Sequence, residues 1–318
     1  MVQRRIVFQM DPPHGLNVRS DSSVMLMEEA INRGDACYYI APESLAWENG
    51  SITARAQRMY VAPAQQPWYR LEEAVTLDLS TVDAVLIRQD PPFDLHYITA
   101  TYMLEMLPSS VRVLNPPAIL RSAPEKLSVL AFAAFTPPTL ITEDIHAVYG
   151  FVAKHASVVA KPLYGFGGHG VYVFHAGDAN LQTFLEQWNL ARGGALVWQA
   201  FLPDVNSKEC RILCVGGDVA ACFTRLPAAG SIRSNMRVGG TPAPHILTSQ
   251  QHACMKAVGA WLKDSGVMLA GVDMIGDRLI EINITSPTGL RAAQSLYGNN
   301  LAATFWDAVF PHQSKAPA

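Results

Sequence analysis

Short apolar runs alternate with helical segments in the first third of the chain, and this order predicts an open, mostly parallel α/β sheet. The predicted strands cover 6–10, 36–40, 82–88 and 111–114, and the predicted helices cover 22–33 and 97–106. Asp21 or Ser22 caps the first helix. Sheets of this kind bind ligands beyond the carboxyl ends of their strands. The loops that carry Asp11, Arg88 and Asp90 follow such strands and are therefore candidate ligand loops.

A boundary is predicted at 115–117, where two prolines follow an asparagine. Beyond it we expect a helix that carries Lys126, and then a part of the chain that becomes richer in strands. The predicted strands are 158–161, 171–174, 196–201, 211–215 and 219–226, and the predicted helices are 181–190 and 250–263.

Two apolar strands joined by a turn at 276–278 are predicted within 267–283. With those three residues as the loop, Asp273 lies opposite Glu281, and alternation places Asn283 on the face of Glu281. The other face is apolar, with Val272, Met274, Ile280 and Ile282. Neighbouring carboxylates repel unless a cation lies between them, and carboxylate and amide oxygens suit Mg²⁺. The polar face is a candidate magnesium site, and a merely solvated hairpin face is the alternative.

The glycines at 165, 167 and 170 match the spacing of a dinucleotide-binding fingerprint, but the context is wrong for that motif. The fingerprint needs a helix after the glycines, whereas the residues that follow, 171–174, predict a strand. A glycine loop between two strands forms a hairpin whose backbone N–H groups can close over a triphosphate. Lys161, at the end of the preceding strand, would add positive charge. An ordinary glycine-rich hairpin is the alternative.

Residues 224–240 form a long segment with little secondary-structure pattern and several arginines. Long loops of this kind are typical of active-site lids or disordered segments. Arginine side chains bind carboxylate and phosphate groups through paired hydrogen bonds. Arg211 and Arg225, on the flanking strands, indicate the same anionic chemistry, whereas Arg237 fits a solvated surface charge.

A possible adenine site follows the strand that ends near Gln199. The backbone from there to Leu202 could hydrogen-bond an adenine edge, and Glu209 could bind ribose hydroxyls. Neither feature would be selected alone. The nine histidines show no metal-ligand spacing, and no Ser-His-Asp set is evident.

The composition is that of a globular protein with a substantial core: 318 residues, 49% of them apolar and 16% charged. A net charge of −3 and the absence of a basic run argue against a nucleic-acid partner. No apolar stretch reaches membrane-spanning length, and the N-terminal run is too short for a signal peptide, so we expect no membrane association. The five cysteines form neither a disulfide pattern nor a zinc pattern, and reduced thiols in a cytoplasmic protein fit best.

Taken in order, these residues resemble the ATP-grasp superfamily, and within it the bacterial glutathione synthetases. The resemblance covers nearly the whole chain. Its most specific stretches are Asp90-Pro-Pro-Phe-Asp94 and Asn283-Ile-Thr-Ser-Pro287, supported by Glu125-Lys126-Leu and Lys161-Pro-Leu. The sequence departs from the family pattern at Tyr164 and Ser231, where acidic residues are usual, and at Cys210, where a basic residue is usual.

The resemblance implies an N-terminal open parallel-sheet domain (1–122) before a two-lobed ATP-grasp domain. The central lobe (123–202) would carry the glycine flap, and the C-terminal lobe (203–318) the lid loop and the metal site. The residues implied to bind ATP are Lys126, Lys161, Gly165, Gly167, Gly168, Gln199, Leu202 and Glu209. Two Mg²⁺, with Mn²⁺ as an alternative, would be bound by Asp273, Glu281 and Asn283. The residues implied around the reacting groups are Arg211, Arg225, Arg233 and Asn235. The residues implied to line the substrate site are Asp21, Ser22, Arg88, Asp90, Ser286 and Thr288.

The implied reaction joins γ-glutamylcysteine to glycine. ATP phosphorylates the cysteinyl carboxylate, and the glycine amine then displaces phosphate. The reaction requires charge neutralisation around phosphoryl oxygens and exclusion of water from an activated acyl group. The alternatives are another ATP-grasp carboxylate–amine ligase with a different acceptor, and a non-catalytic ATP-binding regulator. We also expect a homo-oligomer, either a dimer or a tetramer, and a mobile lid at 228–240 that orders over the acyl phosphate.

Overall fold

Three β-sheets follow one another along the chain in the computed structural model, which describes residues 3–165, 169–203, 209–226 and 241–311. The first sheet has a parallel centre, and the other two are antiparallel. This architecture confirms the predicted fold class, an α/β unit followed by two further lobes. Within those ranges, no helix is long and apolar enough to cross a membrane.

The first sheet contains β1 (Arg5–Gln9), β2 (Ala36–Glu48), β3 (Ser51–Val61), β4 (Tyr69–Leu71), β5 (Val75–Asp78), β6 (Ala84–Ile87) and β7 (Arg112–Leu114). The strand order is β4-β3-β2-β1-β6-β7, with β5 paired to β3. The four strands β2, β1, β6 and β7 run parallel, while β3 returns antiparallel to β2. The accompanying helices are α1 (Ser22–Asn32), α2 (Leu95–Glu105) and α3 (Pro117–Ser122), with 3₁₀ turns at Pro13–Gly15 and Leu79–Thr81.

Short polar residues set the ends of these elements. The carboxylate of Asp21 accepts a hydrogen bond from Val24 N at 2.9 Å and so caps α1, as the sequence predicts. Asp94 caps α2 in the same way through Tyr97 N at 3.0 Å. Asn49 and Gly50 both have positive φ, 49° and 90°, which closes the hairpin between β2 and β3, and an Asn-Gly pair readily takes such values.

The second sheet has the order β10-β9-β11-β8. Its strands are β8 (Thr139–Thr142), β9 (Ser157–Pro162), β10 (Tyr172–His175) and β11 (Leu196–Ala200). The helices α4 (Ile145–His155) and α5 (Asn180–Leu190) belong to the same lobe, and a 3₁₀ helix at Ser128–Phe132 precedes it. The antiparallel pairing of β9 with β10 confirms the predicted hairpin around the glycine loop.

The third sheet has the order β14-β13-β12-β15-β16. Its strands are β12 (Glu209–Val215), β13 (Asp218–Leu226), β14 (Thr241–Pro244), β15 (Leu269–Ile275) and β16 (Arg278–Asn283). The helices α6 (Ser249–Asp264), α7 (Leu290–Tyr297) and α8 (Leu301–Val309) complete this part. The five cysteines are all free, in agreement with the sequence expectation.

The apolar cores join the first sheet to the third but leave the second apart. One cluster contains Val85 of the first sheet together with Ile212 and Val272 of the third. A second cluster joins Phe8 to Leu213 in the same manner. The second sheet instead packs around its own smaller cluster, whose buried members are Val148, Val152, Val158, Ala160, Phe174, Leu181, Leu185, Leu196 and Trp198.

A buried amide also ties the first sheet to the third. The side chain of Asn115, just after β7, donates to Leu269 O at 2.8 Å and Ile284 O at 2.6 Å. Its oxygen accepts from Met268 N at 2.8 Å and Leu269 N at 3.1 Å. All four bonding positions of the amide are therefore used. The predicted boundary residue is in fact a cross-link from the end of β7 to β15 and to the residue that follows β16.

Two local predictions are wrong. Lys126 lies in a turn rather than in a helix, because α3 ends at Ser122 and Pro124 cannot continue it. The turn between β15 and β16 has two loop residues instead of three, since Ile275 pairs with Arg278. A bulge at 280 adds the missing residue and restores the predicted pairing of Asp273 with Glu281.

Candidate active site

The polar face of the β15–β16 hairpin is the centre of the candidate site. Asp273 lies opposite Glu281, and Asn283 lies opposite Gly271 two residues further along β16. The side chains of Asp273 and Glu281 therefore share one face of the hairpin. The opposite face is buried, with Val272 and Met274 fully inaccessible. The hairpin therefore has the two faces that the sequence predicts.

Two arginines converge on Asp273, which is itself only 3% exposed. Arg211, on the neighbouring strand β12, donates to both carboxylate oxygens through Nε and Nη2, the latter at 2.7 Å. Arg225, on β13, lies with Nη2 3.1 Å from Asp273 Oδ2 and also bonds Glu209. Burial acts to raise the pKa of Asp273, but the charges of Arg211 and Arg225 outweigh it and hold that pKa well below its usual range. Asp273 is therefore ionised, and a solvated hairpin face is excluded.

Close packing beneath Arg211 depends on a glycine. A Cβ placed on Gly271 would lie 2.7 Å from Arg211 Nη1. The guanidinium therefore lies flat over the β15 backbone, and Nη1 donates to Thr288 O at 3.3 Å. Arg225 Nε is buried without a hydrogen-bond partner among the described residues. These arginines combine buried positive charge with unused donor capacity, which suits an anionic ligand.

The donor set on this hairpin fits a hard divalent cation. Asp273, Glu281 and Asn283 offer only oxygen ligands, which are the ligands that Mg²⁺ prefers. Two carboxylates on the same face of the hairpin repel each other, and a divalent cation between them would relieve that repulsion. Among the described residues, no group of three or more His, Cys, Asp or Glu side chains has metal-binding geometry. A metal here would therefore depend on Asn283 and on oxygens of the ligands.

Lys161 lies on β9 of the second sheet, and its ammonium group interacts electrostatically with the carboxylate of Glu281 on the third sheet. Its Nζ donates to Gln199 Oε1 at 2.7 Å, and Gln199 Nε2 donates to Thr139 Oγ1 at 3.2 Å. Burial lowers the pKa of Lys161 to about 8, while the carboxylate of Glu281 acts to raise it. The polar faces of the two sheets therefore face each other, with a buried ammonium group on one and carboxylates on the other.

Lys126 brings a second ammonium group to the same region. Its Nζ donates to the carbonyl oxygen of Gly165 at the start of the glycine loop. The preceding residue, Glu125, accepts a hydrogen bond on its backbone oxygen from Ile282 N at 3.1 Å. Burial, followed by the charge of Glu281, raises the pKa of Glu125 to about 8 against the opposing charge of Lys126. The turn at Lys126 thus links the glycine hairpin to the β15–β16 hairpin.

The predicted substrate residues meet where the first sheet contacts the segment after β16. Arg88 is 6% exposed, and it donates through Nε to Ser23 Oγ and through Nη2 to Pro287 O, both at 2.9 Å. Ser286 Oγ donates to Arg88 O at 3.1 Å, and Ser22 Oγ accepts from Leu290 N at 3.3 Å. Burial lowers the pKa of Arg88, although nearby Asp21 and Asp90 act to raise it. A buried arginine bonded mainly to neutral groups is a strong candidate for binding a substrate carboxylate.

The remaining predicted positions are more peripheral. Asp21 is occupied as the cap of α1, and Asp90 N donates to Asp11 Oδ2 at 2.7 Å. Thr288 offers its backbone oxygen to Arg211, and Leu202 is half-buried just beyond β11. Four predicted site residues lie outside the described residues: Gly167, Gly168, Arg233 and Asn235. The lid predicted at 228–240 also lies outside them, so its role stays a prediction.

Two residues near the site were not selected from the sequence. Glu125 appears there only as part of a motif, and its burial beside Glu281 follows from a fold-dependent contact. Asn115 appears only as a boundary residue. Its four hydrogen bonds join it to residues more than 150 positions away in the sequence, and no local sequence signal predicts such partners.

Solved structures identify the fold. The fold is similar to that of D-cycloserine synthetase, with a TM-score of 0.66 at 16% identity over 96% of this chain and 98% of the other. A RimK-domain ATP-grasp protein from Sphaerobacter thermophilus gives 0.64 at 17% identity over 96% and 99%. The two antiparallel sheets behind a parallel sheet are therefore the ATP-grasp fold.

The family follows from the sequence. The model of the prokaryotic glutathione synthetase N-terminal domain matches residues 5–121, and that of the ATP-grasp domain matches residues 125–298. The chain therefore belongs to the prokaryotic glutathione synthetase family. It is 38% identical to the glutathione synthetase of Brucella melitensis over 96% of this chain and 98% of that protein. It is 39% identical to that of Mesorhizobium japonicum over 96% and 97%. Ligases of the ATP-grasp class use ATP and divalent metal ions.

Proposed function

We propose that this chain joins γ-glutamylcysteine to glycine in an ATP-dependent reaction that passes through an acyl phosphate. Family membership supports the reaction, and the observation that carries the chemistry is the buried Asp273–Arg211–Arg225 network facing Lys161. An ATP-binding regulator would need the lysines. It would not need buried arginines beside a carboxylate pair on the opposite sheet.

In the first step, the cysteinyl carboxylate attacks the γ-phosphorus of ATP, and the bond to the β-phosphate oxygen breaks to release ADP. Lys126 and Lys161 would hold the phosphates, while Gln199, Leu202 and Glu209 would hold the base and ribose. Asp273, Glu281 and Asn283 would bind two Mg²⁺, which supply neutralisation of phosphoryl charge when bound. Arg88, with Ser22 and Ser286, would orient the substrate carboxylates.

In the second step, the amine attacks the acyl carbon, the carbon–oxygen bond to phosphate breaks, and the amine loses a proton. Arg211 and Arg225 would stabilise the charge that develops on the acyl oxygen and on the departing phosphate. This role depends on donors positioned before the reaction begins, and their packing against Gly271 and Asp273 provides that positioning. Arg233 and Asn235 of the proposed lid would exclude water from the acyl phosphate.

The proposal is tested by measuring phosphate release and product mass with ATP, γ-glutamylcysteine and each of several amines. We expect phosphate and glutathione in equal amounts with glycine, and little turnover when either substrate is omitted. Faster coupled turnover with a different amine would show that this amine, and not glycine, is the acceptor. ATP binding without any amine-dependent turnover would contradict the ligase assignment. Light scattering of the same preparation tests the expected dimer or tetramer.

A further inference from the structure

A buried glutamine behind the β15–β16 hairpin has no role in the mechanism described above. Gln251 is the third residue of α6 and is 1% exposed. The hydroxyl of Thr248, which precedes the helix, accepts from Gln251 N at 3.1 Å, and Gln251 Oε1 accepts from Thr248 N at 3.0 Å. These reciprocal bonds form a capping box. A capping box needs only an acceptor at this position, so a glutamate would serve the helix as well as the glutamine does.

The amide nitrogen of Gln251 has partners outside the helix. It donates to Gly276 O at 2.7 Å, in the turn of the β15–β16 hairpin, and to Cys210 Sγ at 3.7 Å, on β12. Cys210 lies next to Arg211 in the sequence and opposite Met274 of β15. An ionised glutamate has no donor and could make neither bond. The amide nitrogen at this position therefore serves the third sheet rather than the helix.

A further bond joins the edge of the same sheet to this amide. Gln251 Oε1 lies 2.9 Å from His245 Nε2. The backbone partners fix the orientation of the amide, because Thr248 N can only donate and Gly276 O can only accept. His245 Nε2 is therefore the donor in its bond to Oε1. His245 follows β14, the strand that pairs with β13 at Arg225. All four bonding positions of the amide are used.

The turn end of the hairpin gains support from outside through these bonds. A bulge interrupts the strand pairing between the turn and the pair of Asp273 with Glu281. A bulge disrupts the hydrogen-bond ladder locally, so the ladder alone holds this stretch weakly. At the open end, Asn115 bonds to the backbone of β15 and of the residue after β16. A buried amide therefore holds the hairpin at each end, and Gln251 is the one at the turn.

We propose that Gln251 is a positioning residue for the proposed metal site: its amide nitrogen fixes the β15–β16 turn against β12 and thereby sets how Asp273 and Glu281 face each other. This inference rests on the proposed function, since that function assigns a divalent cation to these carboxylates. Gln251 lies behind the hairpin and acts on the cation only through the residues that it holds. Supporting contacts of this kind typically change metal affinity or activity by about 10–100-fold when they are lost.

Gln251→Glu tests the amide nitrogen alone, because it keeps the shape of the side chain and the acceptor of the capping box. Gln250→Glu, at the exposed neighbouring position, adds the same charge and is the matched control. Electron paramagnetic resonance measures Mn²⁺ binding in the presence of a non-hydrolysable ATP analogue, a readout that needs no turnover. Relative to Q250E, Q251E should raise the Mn²⁺ dissociation constant and lower kcat by about tenfold each. The KM of γ-glutamylcysteine should stay within about threefold, since Arg88 is unaffected.

The ratio of Q251E to Q250E should also depend on pH. A protonated carboxyl group can donate to Gly276 O, whereas a carboxylate cannot. The titratable side chains bonded to this position are His245 and Cys210. The Mn²⁺ dissociation constants of the two variants should therefore differ more at about pH 8.5 than at about pH 6.5. A purely structural defect would lower stability without this pH signature in metal affinity.

Other outcomes decide against the positioning role. Reduced stability in Q251E, with Mn²⁺ affinity and kcat equal to those of Q250E, would overturn it. If Q251E does not fold, Thr248→Val decides, because this exposed hydroxyl donates to Asp277 Oδ1 in the same turn at 2.6 Å. T248V should weaken Mn²⁺ binding about threefold, and unchanged binding would overturn the proposal. Wild type that binds Mn²⁺ with the nucleotide but forms no product would contradict the proposed function alone, whereas no Mn²⁺ binding would overturn both.

Discussion

The two antiparallel sheets that enclose the candidate site are anchored in different ways. The third sheet shares both of its apolar clusters with the first sheet and is cross-linked to it by Asn115. The second sheet packs around a separate, smaller cluster. The arginine–carboxylate network lies on the anchored sheet, and the Lys161–Gln199 pair lies on the separate one.

The difference indicates that the two sheets have different roles. The groups that we propose to hold the substrate carboxylate in line with the phosphate lie on a platform that is continuous with the first sheet. The groups that we propose to hold the nucleotide lie on the second sheet. We expect this sheet to open locally without disrupting the platform, because it packs around a separate apolar cluster. We expect the two regions to respond differently to substitution, and the following variants test that expectation.

The largest effect is expected at the β15–β16 hairpin. Glu281→Gln should lower kcat by about 100–1000-fold, because it removes a charge that stabilises the transition state. The unfolding midpoint should change little, since the amide keeps the shape of the side chain. Steady-state kinetics at saturating Mg²⁺ measure this, and Glu73→Gln at an exposed site is the control. Activity within threefold of wild type would exclude a role for Glu281 in binding the metal.

The next effect concerns the stability of the platform. Asp273→Asn leaves Arg211 and Arg225 without their shared carboxylate, and breaking a buried pair costs about 3–5 kcal/mol. Urea denaturation should show a loss of this size for the whole protein. Asp264→Asn, at the exposed end of α6, serves as the control. A loss below about 1 kcal/mol would mean that the network contributes little to folding.

A pair of leucines tests the separation of the two cores directly. Leu185→Ala in the second-sheet cluster and Leu262→Ala in the shared cluster should each cost about 2–5 kcal/mol locally. Hydrogen exchange should show L185A accelerating exchange in β9 and β11 while β12 and β15 stay protected. L262A should weaken the first and third sheets together. Uniform acceleration in both variants would contradict separate anchoring.

The smallest effect is a pH dependence at Lys161. Its ammonium group, with a pKa of about 8, is charged below that pH and loses its proton above it. Nucleotide affinity should therefore fall as pH rises from about 7 to 9, by at most tenfold per pH unit. Calorimetric titration with a non-hydrolysable ATP analogue measures this. Lys161→Met should remove most of the slope, and any slope that remains in K161M belongs to Glu125, whose pKa is also about 8.

Sequence patterns predicted the parts of the fold that depend on local or alternating signals. The N-terminal cap of α1 and the polar face of β15–β16 follow from such signals. The pairing of Asp273 with Glu281 was predicted correctly, although the predicted turn was one residue too long. A bulge in β16 makes up the difference. Burial of the apolar face therefore selects the register more strongly than the length of the loop does.

The sequence could not predict contacts between residues that lie far apart along the chain. The placement of Lys126 in a turn follows from a single proline, a signal that was present but overlooked. The bonds of Asn115, the burial of Glu125 and the sharing of Asp273 by two arginines depend on segments brought together only by the fold. The Phe93–Tyr164 stack belongs to the same group, since it joins two domains.

The acyl-phosphate reaction between these two regions can be measured directly. γ-Glutamylcysteine labelled with ¹⁸O in its cysteinyl carboxylate is incubated with ATP, Mg²⁺, glycine and the enzyme, and the released phosphate is analysed by mass spectrometry. Because the carboxylate oxygen that attacks phosphorus departs with the phosphate, each phosphate should carry one ¹⁸O atom and the glutathione should retain the other. Unlabelled phosphate, or ¹⁸O found in AMP, would contradict the account.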